Sequence, residues 1–381
     1  MGNEPFVIDD AAVSIIKSPL VTPFRIATGQ HDELDNVFLR LKTADGVCGY
    51  GEAAVATHIT GETVPATLAK LQAAAVSLKG RTVGDAEALC REFSSSFAGN
   101  HAGLAALEMA LLDVACRVRG IPFHQLFPPA APKKPRFFFA TDITVVIGSV
   151  DEARATAQQF AERGFAAFKI KIGKNEEQDL ARVLAVREMA PESRLILDAN
   201  MGFDAPRMLA FLERLDRHDA RPVLLEQPVP RLDWEGLTAI TAALAGSGTL
   251  VCADESVGTL ADARRAIDSN AVSAINVKTM KSGFLEGAQI ARLATSHGIP
   301  LMLGAMMESA LSITASAHLA AGLGCFDFVD LDTTFFIKGA LSHSPYLDDS
   351  GCFDLSAAIP GIGVEPPFPP QFPSQLGSSV G

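Results

Sequence analysis

Three acidic side chains stand at the ends of consecutive apolar runs in the middle of the chain. Asp198, Glu226 and Asp254 follow one another at intervals of 28 residues. If the runs are parallel strands of one sheet, the three carboxylates meet at one edge and repel one another unless a cation lies between them. Hard oxygen ligands of this kind suit Mg²⁺. The spacing therefore predicts a magnesium site; the alternative is three ordinary carboxylates that pair with nearby lysines.

Two lysines end other runs of the same series. Lys171 ends the second run and Lys278 ends the sixth, and Lys169 shares a face with Lys171 because side chains alternate along a strand. In a barrel of eight strands the second and sixth lie opposite each other, so one amine could remove a proton from a carbon atom and the other could return it to the opposite face. We expect nearby positive charge to lower the pKa of the lysine base. Alternatively, the lysines only neutralise the acidic residues.

The proton that such a pair would move is one next to a carboxylate. Carbon acids of this kind are very weak, because removal of the proton gives a dianionic enediolate. A Mg²⁺ ion that binds the carboxylate stabilises this charge as it develops. The residue types match a known pattern, in which a lysine base works beside magnesium.

Eight short apolar runs alternate with segments of helical periodicity, as expected for parallel strands that are buried on both faces. The runs are Phe137–Ile147, Ala167–Ile172, Leu195–Ala199, Val223–Glu226, Leu250–Asp254, Ala274–Lys278, Leu301–Ala305 and Phe326–Asp332. Seven clear helical segments separate them, which favours a (β/α)₈-type barrel. The competing architecture is an open doubly wound sheet. It is disfavoured because no run is followed by a glycine-rich phosphate-binding motif.

The chain on either side of the barrel has a different pattern. Residues 1–135 combine strand-like segments with three alanine-rich helical stretches, which predicts a separate α+β domain. The proline-rich run Pro128–Pro135 is the expected linker to a barrel domain at 136–338. The segment 339–381 is short and proline-rich, so we expect it to pack back on the first domain.

Composition excludes several classes of protein. The net charge of −12 disfavours a nucleic-acid binder, and a hydrophobic content of 48% excludes a disordered chain. No run approaches the length of a membrane span, and the first residues do not resemble a signal peptide. The six cysteines are scattered, which disfavours a zinc site or a redox pair. We therefore expect a soluble, cytoplasmic protein.

The ordered motifs resemble the muconate-lactonising subgroup of the enolase superfamily. They are Lys169-Ile-Lys171, Leu197-Asp-Ala-Asn200, Glu226-Gln-Pro228, Ala253-Asp-Glu-Ser256 and Asn276-Val-Lys278, with Gly49-Tyr-Gly-Glu-Ala53 in the capping domain. The resemblance implies an α/β fold with an α+β capping domain, a modified barrel of the (β/α)₇β type, one Mg²⁺ per subunit and a homo-oligomer.

The same resemblance implies a role for each matching residue. The implied metal ligands are Asp198, Glu226 and Asp254, and the implied acid/base pair is Lys171 and Lys278. Asn200 and Glu255 are implied to support the ligands. Lys169 is a candidate for electrostatic help and for substrate binding.

The last apolar run ends in Phe328-Val-Asp330-Leu-Asp332, and alternation predicts that both aspartates face the cavity. Two carboxylates away from the metal would attract an ammonium group. This pair resembles the dipeptide epimerases, in which it holds the free N-terminus of the substrate; the alternative is a solvated pair of loop carboxylates. The eight histidines avoid the strand ends, unlike the late histidine base of the mandelate-racemase branch.

The side chains of the substrate are less constrained by the sequence. Arg25, in the first loop of the capping domain, could clamp a carboxylate and favour Ala-Glu-type dipeptides, or it could be a surface residue. Met306 and Ser309 are expected to line the substrate wall.

We therefore predict an isomerase, a Mg²⁺-dependent dipeptide epimerase that inverts the α-carbon of the C-terminal residue. The alternatives within the subgroup are an N-acyl or N-succinyl amino acid racemase, an o-succinylbenzoate synthase and a muconate cycloisomerase. A remote alternative is a non-catalytic barrel.

Overall fold

The chain begins with an antiparallel sheet that is covered by helices. The computed structural model describes residues 6–27 and 29–368. The strands are β1 (Ile8–Arg25), β2 (Gln30–Thr43) and β3 (Cys48–Ala53), and the helices are α1 (Thr57–Thr60), α2 (Val64–Leu78), α3 (Ala86–Ser94) and α4 (His101–Arg119). Helix α4 lies so close to β3 that a Cβ atom at Gly51 would come within 1.9 Å of the Ala106 carbonyl oxygen. Glycine is therefore required at this contact.

The middle of the chain is a parallel sheet of eight strands, joined by seven helices in the described residues. A short strand, β4 (Phe138–Ala140), precedes it. The sheet strands are β5 (Ile143–Val145), β6 (Ala167–Lys171), β7 (Arg194–Asp198), β8 (Leu224–Glu226), β9 (Leu250–Ala253), β10 (Ala274–Val277), β11 (Leu301–Leu303) and β12 (Phe328–Val329). The helices are α5 (Val150–Glu162), α6 (Glu176–Met189), α7 (Ala205–Asp216), α8 (Trp234–Ala243), α9 (Leu260–Asp268), α10 (Thr279–Ser296) and α11 (Ala310–Leu323).

The sheet follows chain order from β5 to β12, and its last strand returns to its first. The Asp142 N–H, directly before β5, donates to the Val329 carbonyl of β12 at 2.9 Å. Up to residue 368, the described chain after β12 has only 3₁₀ turns and one short strand, β13 (Cys352–Asp354). The predicted fold class, a (β/α)₇β barrel with an antiparallel capping domain, is confirmed.

One predicted strand is wrong in detail. The apolar run Phe137–Ile147 forms two strands, because β4 leaves the barrel and pairs with β13 in an antiparallel ribbon. The partner lies more than 200 residues away in sequence, so no local pattern could reveal this pairing. The three domain ranges stay a prediction, and their ends at 1–5 and 369–381 lie outside the described residues.

Helix α11 is buried along its whole length. A helix that is apolar on every side belongs in a core. Helix α11 packs against α10, against β3 and the turn Phe123–Leu126 of the capping domain, and against the 3₁₀ turns that follow it. Even so, none of the helices in the described part of the chain is long and apolar enough to cross a bilayer.

A buried histidine of α11 joins the capping domain to the C-terminal segment. His318 Nδ1 accepts the His124 N–H at 3.2 Å, and His318 Nε2 lies 3.1 Å from the Ile362 carbonyl oxygen. The first contact requires an unprotonated Nδ1, so Nε2 carries the proton and donates to Ile362. Burial and the neighbouring His124 ring lower the pKa of His318 to about 3.

We expect this histidine to make the fold sensitive to acid. Between about pH 6.5 and about pH 3, His318 binds a proton in the unfolded chain but not in the folded chain. The contribution of His318 to the free energy of unfolding is therefore complete above pH 6.5 and is lost as the pH falls toward 3. The loss should reach about 3–5 kcal/mol. Urea unfolding of the parent and of His318→Gln should give free energies that converge as the pH falls. The control is His297→Gln, an exposed change at the end of α10. Its free energy of unfolding should stay parallel to that of the parent at every pH. Convergence in the control as well would refute the assignment to His318.

Candidate active site

The three candidate metal ligands lie side by side at the carboxyl ends of neighbouring strands. Asp198 ends β7 and pairs in register with Glu226, which ends β8, while Asp254 directly follows β9. All three are at most 1% exposed. The Asn200 N–H donates to Asp198 at 3.0 Å, and the Asn276 amide donates to Glu226 at 2.8 Å. These bonds fix the carboxylates before any ligand binds.

The candidate acid/base lysines each contact one of these carboxylates. Lys171 Nζ lies 2.6 Å from Asp198, and Lys278 Nζ lies 2.8 Å from Asp254. Lys171 belongs to β6 and Lys278 follows β10, so four positions of the eight-stranded sheet separate them. This places the two amines on opposite sides of the barrel, as the sequence predicts.

Lys169 occupies the centre of the acidic residues. Its ammonium group lies 3.0 Å from Asp198, 2.8 Å from Glu226 and 2.7 Å from Asp330. The side chain is only 1% exposed. Lys169 therefore links the candidate metal ligands to the aspartates of the last strand.

A fourth lysine in the site was not singled out from the sequence. Lys281 Nζ contacts the Asp254 carboxylate at 2.6 Å and also donates to the carbonyls of Val257 and Asn276. It lies in the first turn of α10, three residues after Lys278, and this spacing was the available signal. Its four oxygen contacts leave it little freedom to move, so it fixes Asp254 from the side opposite Lys278.

The lysines and burial act in opposite directions on the carboxylates. Burial would raise the pKa of Asp198, but Lys171 and Lys169 outweigh it and lower the pKa to about 2. The pKa of Asp254 is likewise lowered, because Lys278 and Lys281 outweigh burial. Burial and the charge of Asp198 raise the pKa of Glu226 to about 7.

The pKa of Lys278 is shifted in the opposite direction to the lowering that we expect for a lysine base. Burial lowers it, but attraction to Asp254 outweighs burial and the pKa is raised. The expected lowering of the pKa rests on the neighbouring positive charges alone, and the sequence does not show the carboxylate that lies directly against the amine. A group that draws the charge of Asp254 away from Lys278 would bring the amine closer to a working base.

The donor set fits a hard divalent cation. Glu226 Oε2 lies 2.8 Å from the Lys169 ammonium group, and Asp254 Oδ2 lies 2.8 Å from that of Lys278, so positive charge already stands beside these buried oxygens. Three buried carboxylates at neighbouring strand ends are the kind of ligands that Mg²⁺ prefers. Asn200 donates to Glu255 at 3.2 Å beside them, and burial and the charge of Asp254 raise the pKa of Glu255 to about 8.

Both acid/base lysines line one narrow cavity, which we call the site cavity. Its wall includes Lys171, Lys278 and Asn200, and also Asp330 and Asp332 from the end of the barrel. A molecule in this cavity touches both amines and both aspartates at once. The site cavity also includes His58 of the capping domain, one of the eight histidines that avoid the strand ends.

A second group of carboxylates lies beside the first. Asp142, Asp330 and Asp332, here called the aspartate cluster, each place one carboxylate oxygen within 4.8 Å of the oxygens of the other two. Asp332 accepts the Thr144 N–H at 2.6 Å. Asp142 was missed from the sequence because it lies inside an apolar run, and nothing in its local pattern marked it.

Most of the remaining wall of the site cavity is apolar, and its polar members are His58, Thr144 and Thr333. Phe24, Ile26 and Ile59 come from the capping domain, and Met306 and Met307 follow β11. The predicted position of Met306 in the substrate wall agrees with this lining. The capping domain therefore presents hydrophobic surface to whatever the cavity holds.

Three predicted substrate-binding residues lie elsewhere. Arg25 donates to Gln30 at 3.2 Å and lines a separate cavity beside α5. Ser309 caps α11, and its hydroxyl donates to the buried Glu52 at 2.5 Å. Lys169 lies among the carboxylates and outside the site-cavity lining. The structure thus gives Arg25 no access to a side chain in the site cavity, because the β1 end turns its guanidinium outward.

Comparison with known proteins agrees with this architecture. Residues 11–127 match the mandelate racemase/muconate lactonizing enzyme N-terminal domain, and residues 152–368 match the enolase C-terminal domain-like family. A hydrophobic dipeptide epimerase of Citrifermentans bemidjiense is 74% identical over 95% of this chain and 99% of its own. An L-Ala-D/L-Glu epimerase of Bacillus subtilis is 30% identical over 92% of this chain and 94% of its own.

A solved structure of the dipeptide epimerase from Enterococcus faecalis, complexed with Mg and the dipeptide L-Leu-L-Tyr, is similar throughout. Its TM-score is 0.85 at 30% identity, and the match covers 94% of this chain and 99% of that one. The two domain matches and the 74% identical relative together span nearly all of the described residues. The chain therefore belongs to the mandelate racemase/muconate lactonizing enzyme family of the enolase superfamily.

Proposed function

We propose that this protein is a Mg²⁺-dependent dipeptide epimerase that acts on dipeptides with apolar side chains. The observation that carries the proposal is the site cavity, in which Lys171 and Lys278 face each other and Asp330 and Asp332 stand beside them. The names of its relatives, above all the 74% identical hydrophobic dipeptide epimerase, support the same activity. A homo-oligomeric state and a cytoplasmic location stay predictions.

Each group in the site has a part in the proposed reaction. Asp198, Glu226 and Asp254 would hold Mg²⁺, which supplies positive charge beside the substrate carboxylate when it is bound. One of Lys171 and Lys278 removes the α-proton of the C-terminal residue, and the other delivers a proton to the opposite face. This exchange inverts the carbon without any net gain or loss of protons.

The aspartate pair separates this proposal from the alternatives in the subgroup. Asp330 and Asp332 are buried, and the Lys169 ammonium group supplies one positive charge beside these two carboxyl groups. A dipeptide brings an ammonium group that would complete the balance. N-acyl amino acids, o-succinylbenzoate precursors and muconate have no ammonium group to offer.

The activity is tested by proton exchange. Dipeptides such as L-Ala-L-Leu are incubated with the protein in D₂O, and deuterium at each α-carbon is followed by NMR. We expect exchange at the C-terminal residue only, loss of exchange when EDTA removes the metal, and recovery when Mg²⁺ is restored. A protein that exchanges no α-proton in any dipeptide of a representative library, with Mg²⁺ present, does not have this function.

We also expect a preference for apolar over acidic side chains. Burial of a leucine or phenylalanine side chain against Phe24, Ile26 and Met306 is worth about 1.5–3 kcal/mol. A glutamate side chain loses hydration against the same residues, and Arg25 lines another cavity. The value of kcat/KM for L-Ala-L-Leu should therefore exceed that for L-Ala-L-Glu by about 10- to 100-fold. Equal kcat/KM values for the two dipeptides would contradict this preference and would mean that a cationic group of the protein binds the glutamate side chain.

A further inference from the structure

Asp142 is a buried acid that the proposed reaction does not use. Its side chain is 2% exposed, and neither carboxylate oxygen accepts a hydrogen bond from the described residues. It directly precedes β5, and a backbone bond to Val329 fixes it beside the last strand. Such a group, buried without a donor, is costly unless it is protonated or serves another group.

Asp142 lies behind the aspartates of the site cavity. On one side its carboxyl group faces Asp330 and Asp332. On the other it lines a cavity of about 150 Å³ at the amino-terminal end of the barrel, which we call the floor cavity. Arg194 and Asp327 are charged residues that line the floor cavity as well. Asp142 therefore separates the ammonium-binding aspartates from the floor of the barrel.

One carboxylate oxygen of Asp142 lies within 4.8 Å of one of Asp330, and this proximity favours a proton on one of the two groups. Two ionised carboxylates so close together in a buried site repel each other, whereas a carboxylic acid donates a strong hydrogen bond to a carboxylate. Asp330 already accepts a hydrogen bond from the Lys169 ammonium group at 2.7 Å, so it is the acceptor of the pair. In agreement, burial and the charges of Asp330 and Asp332 raise the pKa of Asp142 well above its usual value.

We propose that Asp142 is a positioning residue for the substrate ammonium group, because its protonated carboxyl donates a hydrogen bond to Asp330 and holds that carboxylate toward the site cavity. The inference rests on the proposed function. An ionised Asp142 would add a further negative charge beside Asp330 and Asp332, whereas the substrate brings one ammonium group.

The same three carboxylates could instead hold a metal ion. This use is disfavoured because Asp330 already binds the Lys169 ammonium and Asp332 accepts the Thr144 N–H. These two donors hold Asp330 and Asp332 in place without a cation. The two possibilities predict opposite results for an asparagine at position 142, since an amide can donate the hydrogen bond to Asp330 but is a poor metal ligand.

The kinetic test compares Asp142→Ala with Asp142→Asn in the Mg²⁺-loaded full-length protein. We expect Asp142→Ala to raise KM for L-Ala-L-Leu by about 30-fold with kcat changed less than threefold, and Asp142→Asn to stay within threefold of the parent for both. The control Asp327→Asn changes another acid of the floor cavity and should leave both constants unchanged. An Asp142→Asn variant as impaired as Asp142→Ala would overturn the inference.

Two measurements do not depend on turnover. The infrared difference spectrum of parent minus Asp142→Asn at pH 7 should show the carbonyl band of a protonated carboxylic acid, and its absence overturns the inference even where Asp142→Ala does not fold. Calorimetry should show that Asp142→Ala weakens binding of L-Ala-L-Leu and leaves its N-acetyl derivative unaffected. A parent that binds the dipeptide but does not epimerise it overturns the proposed function alone. Titration with Mn²⁺ tests the alternative metal site. If the parent binds two Mn²⁺ ions per chain and Asp142→Asn binds one, the aspartate cluster is a metal site and the inference is wrong.

Discussion

Replacement of Lys278 with alanine is expected to lower the rate of epimerisation by about 10³-fold or more, because inversion needs a proton donor on each face of the α-carbon. The remaining amine, Lys171, still faces the cavity from the opposite wall. It can remove and return the α-proton of one epimer only. Lys278→Ala should therefore exchange the α-proton of one epimer with D₂O and leave the other untouched, and Lys171→Ala should show the reverse selectivity.

The control for this experiment is Lys174→Ala. Lys174 lies in the same loop as the end of β6 but is exposed, so the variant should keep the parent rate for both epimers. Mass spectrometry of each pure epimer after incubation in D₂O gives the selectivity directly. Loss of exchange from the same epimer in both lysine variants would show that the amines act on one face, and the two-base assignment would then be wrong.

The barrel could be predicted from the sequence because buried parallel strands leave a regular trace. The runs that lead to Lys171, Asp198 and Glu226 are mostly apolar, with Lys169 as the exception, and they lie at nearly constant spacing. Alternation within each strand then decides which side chains face the cavity. Lys171, Asp198 and Glu226 are the last residues of their strands, whereas Asp330 and Asp332 follow β12, which is shorter than the predicted run and ends at Val329.

The parts that the sequence did not reveal depend on contacts between distant segments. The pairing of β4 with β13 splits a continuous apolar run, and it leaves Asp142 at the point where the chain enters the barrel. The position of Arg25 depends on strand register. Arg25 ends the long strand β1 of the capping domain, and the pairing of β1 with β2 places it opposite Gln30, to which it donates a hydrogen bond. Neither register nor burial of a loop side chain has a local signature in the sequence.

Asp330→Asn is expected to raise KM for dipeptides by about 10²- to 10³-fold, which is the usual cost of breaking a buried charge pair. The change is nearly isosteric, and it removes the negative charge that would bind the substrate ammonium group. It also takes from Lys169 one of its three carboxylate partners, but the bonds to Asp198 and Glu226 remain. We therefore expect kcat to fall by less than tenfold.

The comparison that decides this prediction uses substrates with and without the ammonium group. L-Ala-L-Leu should lose most of its affinity for Asp330→Asn, measured as KM and by calorimetry, whereas N-acetyl-L-Ala-L-Leu should bind the parent and the variant equally weakly. If N-acyl compounds are instead the better substrates of the parent and Asp330→Asn leaves kcat/KM intact, the protein is an N-acylamino acid racemase on the same barrel. The charge of one buried carboxylate thus separates two reactions that share every lysine and every metal ligand, because the groups that move the proton do not depend on what lies at the other end of the substrate.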